Sequence, residues 1–326
     1  MCMQKGDIEI RSIHHDDIKD VEALSNKIYN FKFNEEYYKW QFINPPVPGH
    51  FSKGAWLGDH LVAHVGYTPR LCKMNGRVRT ILSNHGMMSD PAHRGRGFYY
   101  ELINGAQDIF RGQDIDLLIS HPNKNSHNVQ MRHEHYEDLT LLPSMAFNPK
   151  AIRRYNQEAF PFSPCNKFTS EFEQLCQVTD GGKKYGYVRD PDYLSWRYVN
   201  RPAFNYYCHE YRVGGKVKSA VIFKKYPNEN PEKINITEWL CDSTNKEEAI
   251  APLKELLDFA GNEGLKVELW HSMYDKTRYL WLEKLGFYPE SPIFHFGLYL
   301  LKPLSYYGPI LDFRNWYTSM GDHDVF

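Results

Sequence analysis

The sequence predicts a mixed α/β protein built from two similar units. Three observations carry this reading. Of the 326 residues, 42% are apolar and 24% charged, enough for packed cores in a chain long enough for two domains. Strand-like alternation and helix-like periodicity interleave along the chain instead of segregating. A local pattern also occurs twice. Tyr37-Tyr38-Lys39-Trp40-Gln41-Phe42-Ile43-Asn44-Pro45-Pro46 is echoed by Tyr193-Leu194-Ser195-Trp196-Arg197-Tyr198-Val199-Asn200-Arg201-Pro202. Trp40/Trp196, Asn44/Asn200 and Pro46/Pro202 share one offset, which persists to Gly58/Gly214. Four matches at one offset indicate a duplicated domain of about 150 residues. The expected division is 1–145 and 146–326.

The elements follow in order. Ile8-Glu9-Ile10-Arg11 alternates like a strand, and Asp16-Asp17 should cap a helix through Val21, Leu24 and Ile28. A hairpin is expected over Ala55–Leu57 and Leu61–Val65, turning at Gly58-Asp59. The next strand runs from Val78 through Leu82 towards Met87-Met88, and a helix carries Tyr99, Leu102, Ile103 and Ala106. The apolar run Ile115–Ile119 suits a buried strand. Residues 143–186, rich in Pro, Phe and Asn, read as a connection and the opening of the second domain. That domain has a hairpin at Gly214-Gly215, a strand over Ile234–Trp239 and a helix through Ile250 to Leu257, ending at Gly261 and Gly264. A strand at Lys266–Trp270 and a last helix before Leu285-Gly286-Phe287 complete it.

Composition removes several functions. The formal net charge is −1, with no basic stripe, so nucleic acid is not an expected partner. No segment reaches the roughly 18 apolar residues of a membrane span, and Met1–Asp7 has no apolar signal core, so the expected location is the cytoplasm. Cys2 lacks a lipidation signal before it. The six cysteines form no C-x-x-C pair. His121, His127, His133 and His135 do not share a helix face, so no metal is expected. The sequence carries no signal for oligomeric state.

The stretch with chemistry is Ser89-Asp90-Pro91-Ala92-His93-Arg94-Gly95-Arg96-Gly97-Phe98-Tyr99, between a strand and a helix. Gly95 and Gly97 allow a tight turn, and the amides of residues 93–98 at a helix start form an anion site. Arg94 and Arg96 add charge-assisted contacts. A diphosphate suits this site. The dinucleotide pattern G-x-G-x-x-G fails at Tyr100, and Walker A is absent.

Arg94-Gly95-Arg96-Gly97 after a strand resembles the acyl-CoA loop, Q/R-x-x-G-x-G/A, of GNAT N-acyltransferases. Tyr99 stands where most of that family carry a small residue, as in members from surface-polysaccharide gene clusters. His121-Pro122-Asn123-Lys124-Asn125-Ser126 resembles the F-P-N-x-x-S segment of the same proteins. The resemblance implies two tandem GNAT-like domains on a mixed α/β sheet, the second degenerate. It implies that acetyl-CoA or another acyl-CoA is the co-substrate and that CoA lies between two splayed strands. Met87, Met88, His93, Arg94, Gly95, Arg96, Gly97, Phe98, Asn123 and Ser126 are the implied contacts. Ser126 is also a candidate helix cap.

The implied reaction is direct attack of a small amine, such as an amino sugar of surface-polysaccharide biosynthesis, on the thioester. His85 is the candidate base, Tyr136 the candidate acid, and an amide near Met87 or Met88 the oxyanion donor. Asp322 and Asp324 lie in a tail that reads as solvated or as an amine holder. In the second copy Leu240–Glu248 has no glycine pair or arginine, so that copy is expected to shape the acceptor site. Two alternatives are an aminoacyl-tRNA-dependent double-GNAT enzyme, disfavoured by the missing basic patch, and a non-catalytic acyl-CoA-binding module.

Overall fold

The computed structural model describes residues 8–29, 32–149, 160–226 and 233–326. Cys2 and the rest of the first seven residues lie outside them. The chain forms two compact units: residues 1–140 with 294–311, and 141–293 with 312–326. The expected boundary at 145/146 thus lies slightly late, and the second stretch is not contiguous. A strand from near the end of the chain pairs into the first sheet.

Unit 1 contains β1 (Glu9–Ser12), β2 (Lys53–Leu57), β3 (His60–Met74), β4 (Arg77–Ser89), β5 (Leu117–Ser120), β6 (Glu137–Leu141) and β14 (His295–Leu300). Their order is β1-β2-β3-β4-β5-β14-β6. The helices are α1 (Ile18–Ile28), α2 (Glu35–Tyr38), α3 (Phe98–Arg111) and α4 (Lys124–His133), and α2 continues as a π-helical turn over Lys39–Ile43. Phe98, Leu102, Ile103, Ala106 and Phe110 recur at helical spacing and form one face of α3. That face buries against Val65, Tyr67, Leu82 and Leu118 of the sheet. Asp17 does not cap α1 with its side chain. Its carboxylate instead takes Arg11 at 2.9 Å and the His14 amide at 2.8 Å.

Unit 2 contains β7 (Ser144–Phe147), β8 (Tyr185–Tyr187), β9 (Tyr206–Val213), β10 (Lys216–Tyr226), β11 (Lys233–Cys241), β12 (Lys266–Trp270) and β13 (Tyr288–Glu290). Its sheet order is β13-β7-β12-β11-β10-β9. The helices are α5 (Glu173–Val178), α6 (Pro191–Tyr198), α7 (Lys246–Glu263) and α8 (Lys276–Lys284). Gly261 lies inside α7, which ends at Gly264 with φ +74°. The two sheets share a plan. Each runs through an antiparallel meander into one parallel pair, β4–β5 or β11–β12. In each, a strand distant in sequence enters between the last two, β14 in one and β7 in the other. The repeated sequence pattern is helical in both units, at α2 with its π-turn and at α6.

Candidate functional site

Strand β4 carries the site. Opposite β3 it pairs His85 with Gly66 and Met88 with His64, so Gly86 and Met87 together face Val65 alone. This β-bulge lies next to the turn that opens α3. Gly86 has φ +56°. His64 braces it: the ring is fully buried, burial pushes its pKa down to about 4, and Nδ1–H donates to the Gly86 carbonyl at 2.8 Å. On the same face the Phe42 ring packs so closely that a Cβ on Gly66 would come within 2.3 Å of it.

After Ser89 the chain makes a 3-10 turn over Pro91–His93, with Asp90 accepting from the Ala92 amide. Lys27 at 2.8 Å holds the Asp90 carboxylate below the usual range. Gly95 and Gly97 follow with φ +77° and +84°, and Gly97 is the N-cap of the 14-residue α3. A Cβ on Gly95 would meet nothing within 4 Å, so conformation, not space, requires glycine there. The amides of Gly95, Gly97 and Phe98 make no backbone hydrogen bonds among the described residues. They stand at the positive end of α3 as an anion site. Arg94 is exposed, its Nε donating to the Ser89 carbonyl at 3.3 Å. His93 departs from expectation: its amide already donates to Asp90 inside the 3-10 turn. The His93 ring instead lines a cavity of about 610 Å³ with Asp20, Lys27, His60, Leu61 and Asp90.

The parallel pairing of β4 with β5 covers only Leu82↔Leu118 and Ser83↔Ile119. Beyond Ser83 the strands part, and a buried polar cluster begins there. Asn84 Nδ2 donates to Glu134 Oε2 at 3.4 Å and to the Tyr136 hydroxyl at 3.3 Å. The Tyr99 hydroxyl donates to Glu134 Oε1 at 3.0 Å, and Gln107 Nε2 to the Glu134 carbonyl at 3.1 Å. Burial among uncharged partners pushes the Glu134 pKa up to about 7, the hydrogen bonds from Tyr99 and Asn84 opposing it. Asn84 Oδ1, Gln130 Oε1 and the Tyr67 hydroxyl are buried without a hydrogen-bond partner among the described residues. Gln130 reaches Met87 with its other end, Nε2 to Sδ at 2.7 Å.

Tyr136 belongs to this cluster; His85 does not. His85 is buried one residue from Asn84, and successive strand residues face opposite ways. Met87 packs on the α3 side of the sheet, its carbonyl taking the Tyr29 hydroxyl at 3.1 Å, and Met88 is buried. At α4 the cap is Asn123, not Ser126. Asn123 Oδ1 accepts from the amides of Asn125 at 2.9 Å and Ser126 at 3.3 Å, and the Ser126 hydroxyl turns back to it at 3.5 Å. Sequence reasoning missed Asn84, Gln130 and Glu134. One signal was available for Glu134, a carboxylate at the C-cap of α4, where a helix favours a cation.

In unit 2, β11 and β12 also part, after Asn235↔Glu268. Residues 317–322 occupy that position. Asn235 Nδ2 donates to Met320 Sδ at 3.3 Å, and Tyr317 and Ser319 line a small recess with Trp239, Trp270 and His271. Asp322 is not solvated: it is buried and takes Arg189 Nη2 at 2.7 Å, while Arg189 Nε donates to Glu238 at 2.9 Å.

Comparison with known proteins agrees with this geometry. The family model described as an acetyltransferase (GNAT) domain matches residues 9–128. A protein of Amsacta moorei entomopoxvirus, named "Putative glycylpeptide N-tetradecanoyltransferase", is 20% identical over 162 residues. These are 48% of this chain and 54% of that protein, so the chain spans about half the length of the curated relative it matches. A GCN5-related N-acetyltransferase from Anabaena variabilis superposes with TM-score 0.66 at 16% identity, over 91% of this chain and 73% of its own. Saccharomyces cerevisiae N-myristoyltransferase with bound myristoyl-CoA superposes with TM-score 0.59 at 13% identity, over 90% and 79%. At these identities the structures speak for the fold. No helix among the described residues is long and apolar enough to cross a membrane. The chain has a mixed α/β GNAT-like fold with two mixed sheets, and residues 9–128 within its first unit match an acetyltransferase (GNAT) domain.

Proposed function

We propose that the protein transfers an acetyl or other short acyl group from acyl-CoA to a small amine, using unit 1. The observation that carries this reading is the turn at Gly95–Gly97. It presents unpaired amides at the start of α3, directly after a bulged strand that parts from its parallel neighbour. The CoA pyrophosphate sits on the amides of Gly95, Gly97 and Phe98, with Arg94 and Arg96 beside it. The amides of CoA's pantetheine arm meet the orphan oxygens of Asn84 and Gln130. Asn84 directs both its N–H groups at Glu134 and Tyr136, which leaves Oδ1 for a ligand. Asn123 and Ser126 line the arm from α4. An amide at Met87 or Met88 stabilises the oxyanion.

His85 accepts the proton of the attacking amine. Tyr136 returns one to the thiolate, whose conjugate acid has a pKa of about 8.5. Glu134 is a positioning residue, holding Asn84 and Tyr99. Phe42 and His64 fill the bulge's other face, which favours a short acyl group. A longer chain is the second reading, drawn from the entomopoxvirus relative's name. The acceptor we infer is an amino sugar of surface-polysaccharide assembly. A titration of CoA, then acyl-CoAs from acetyl to myristoyl, against a panel of amines with thiol release as the readout, tests all of this. Acetyl-dependent release with an amino sugar supports the reading. CoA binding without turnover on any amine replaces it with an acyl-CoA-binding module.

A further inference from the structure

Away from the loop, three side chains from separate elements of unit 1 converge: His127 on α4, Asp138 on β6 and His295, the first residue of β14. His127 Nε2 lies 2.6 Å from Asp138 Oδ2, and His295 Nδ1 lies 3.1 Å from the same oxygen. The imidazole rings stack with centroids 3.6 Å apart. One ligand atom from each residue falls within 4.8 Å of the other two. Ligand atoms on one tetrahedral first-row ion lie about 3.3 Å apart, as bonds of about 2.0–2.2 Å require, so small side-chain rotations suffice.

We propose that His127, Asp138 and His295 form a binding site for a divalent first-row transition ion of the zinc class. Two imidazoles and one carboxylate suit such an ion, whereas calcium and magnesium call for oxygen ligands throughout. The three side chains are between a fifth and a third exposed, so a fourth position stays open to water. The frame is held independently of any ion. The His295 amide donates to the Pro122 carbonyl at 2.8 Å, and Phe294 bridges Asn123. An ion here fastens α4, β6 and β14 to one point, next to the first turn of α4. The ligands lie 11 and 157 residues apart in sequence, a spacing no linear motif describes. The site stands apart from the acyl-CoA reading.

The test is zinc titration of tag-free, chelator-treated full-length protein by calorimetry, with cobalt absorption reporting the geometry. One site per chain is expected, with affinity reduced more than a hundredfold in both D138N and H295Q and retained in H133A. Zinc, but not magnesium, is expected to raise the melting temperature of the wild type and of neither triad variant. Equal zinc affinity in wild type, D138N and H295Q overturns the proposal, as does no binding by the wild type. Circular dichroism of the two variants separates loss of the site from loss of the fold.

Discussion

The two units take one strand plan to opposite ends. In unit 1 the parting of β4 from β5 is lined by polar atoms with unmet hydrogen bonds, and a glycine turn of free amides stands at its mouth. In unit 2 the parting of β11 from β12 is filled by residues 317–322 and closed with charge: Arg189 holds both Glu238 and Asp322. At the unit 1 parting the buried carboxyl of Glu134 takes its hydrogen bonds from uncharged groups, Asn84 and Tyr99. Buried polar atoms without a hydrogen-bond partner among the described residues remain at both partings, Asn84 Oδ1 and Gln130 Oε1 in unit 1 and Asn235 Oδ1 and His271 Nε2 in unit 2; the glycine turn beside the first and the residues that occupy the second set them apart.

The contrast is broken most directly at the loop. Each charge-assisted hydrogen bond contributes about 1.5–3 kcal/mol, so R94A/R96A should weaken CoA binding by roughly 100-fold or more. Calorimetry with free CoA measures it, and unchanged affinity would mean that the anion site lies elsewhere.

Glu134 supplies the next largest effect. Its folded pKa, about 7, lies above the ordinary 4.5. The folded state therefore holds a proton the unfolded chain has lost, and the associated stability is full below about 4.5 and disappears as pH rises through 7. The shift corresponds to about 3 kcal/mol at most. Glu134→Gln should flatten this fall in thermal denaturation between pH 5 and pH 8. A variant with the wild-type slope would place the titration on another group.

Gly321 tests the closed unit. A Cβ there would stand 2.0 Å from the Tyr198 hydroxyl and 2.6 Å from Glu238 Oε1. Gly321→Ala should cost about 1–3 kcal/mol by overpacking, a fall of several degrees in melting temperature, with CoA affinity unaltered. If CoA binding falls with it, the assignment of CoA binding to unit 1 alone is overturned.

The smallest change is Tyr99→Phe. It removes one hydrogen bond to a carboxyl, about 1–2 kcal/mol, and should move the Glu134 titration further upward. Titration of the carboxyl by NMR resolves the direction.

Most of the frame was legible beforehand. Alternation and periodicity located β3, β4, α3 and α7, because burying one face imposes a period of two or 3.6 on the residues. The glycine turn was legible too, since few residues other than glycine accept positive φ next to an anion site. His85 and Tyr136 came from position along the chain, and only Tyr136 joins the buried cluster. The His93 amide and the Ser126 cap were misjudged because a 3-10 turn and an Asn cap compete for the same backbone donors.

By itself the sequence determined the α/β periodicity, the repeat and the anion-binding turn, all set by contacts between near neighbours in the chain. Only the tertiary structure decided where β14 and β7 enter their sheets, which parting is filled, and what surrounds Glu134. Those depend on residues far apart in the chain, such as Leu117 and Leu300, which pair across β5 and β14. A lone acid or histidine has no periodicity, so its chemistry is set by the burial and partners that folding supplies.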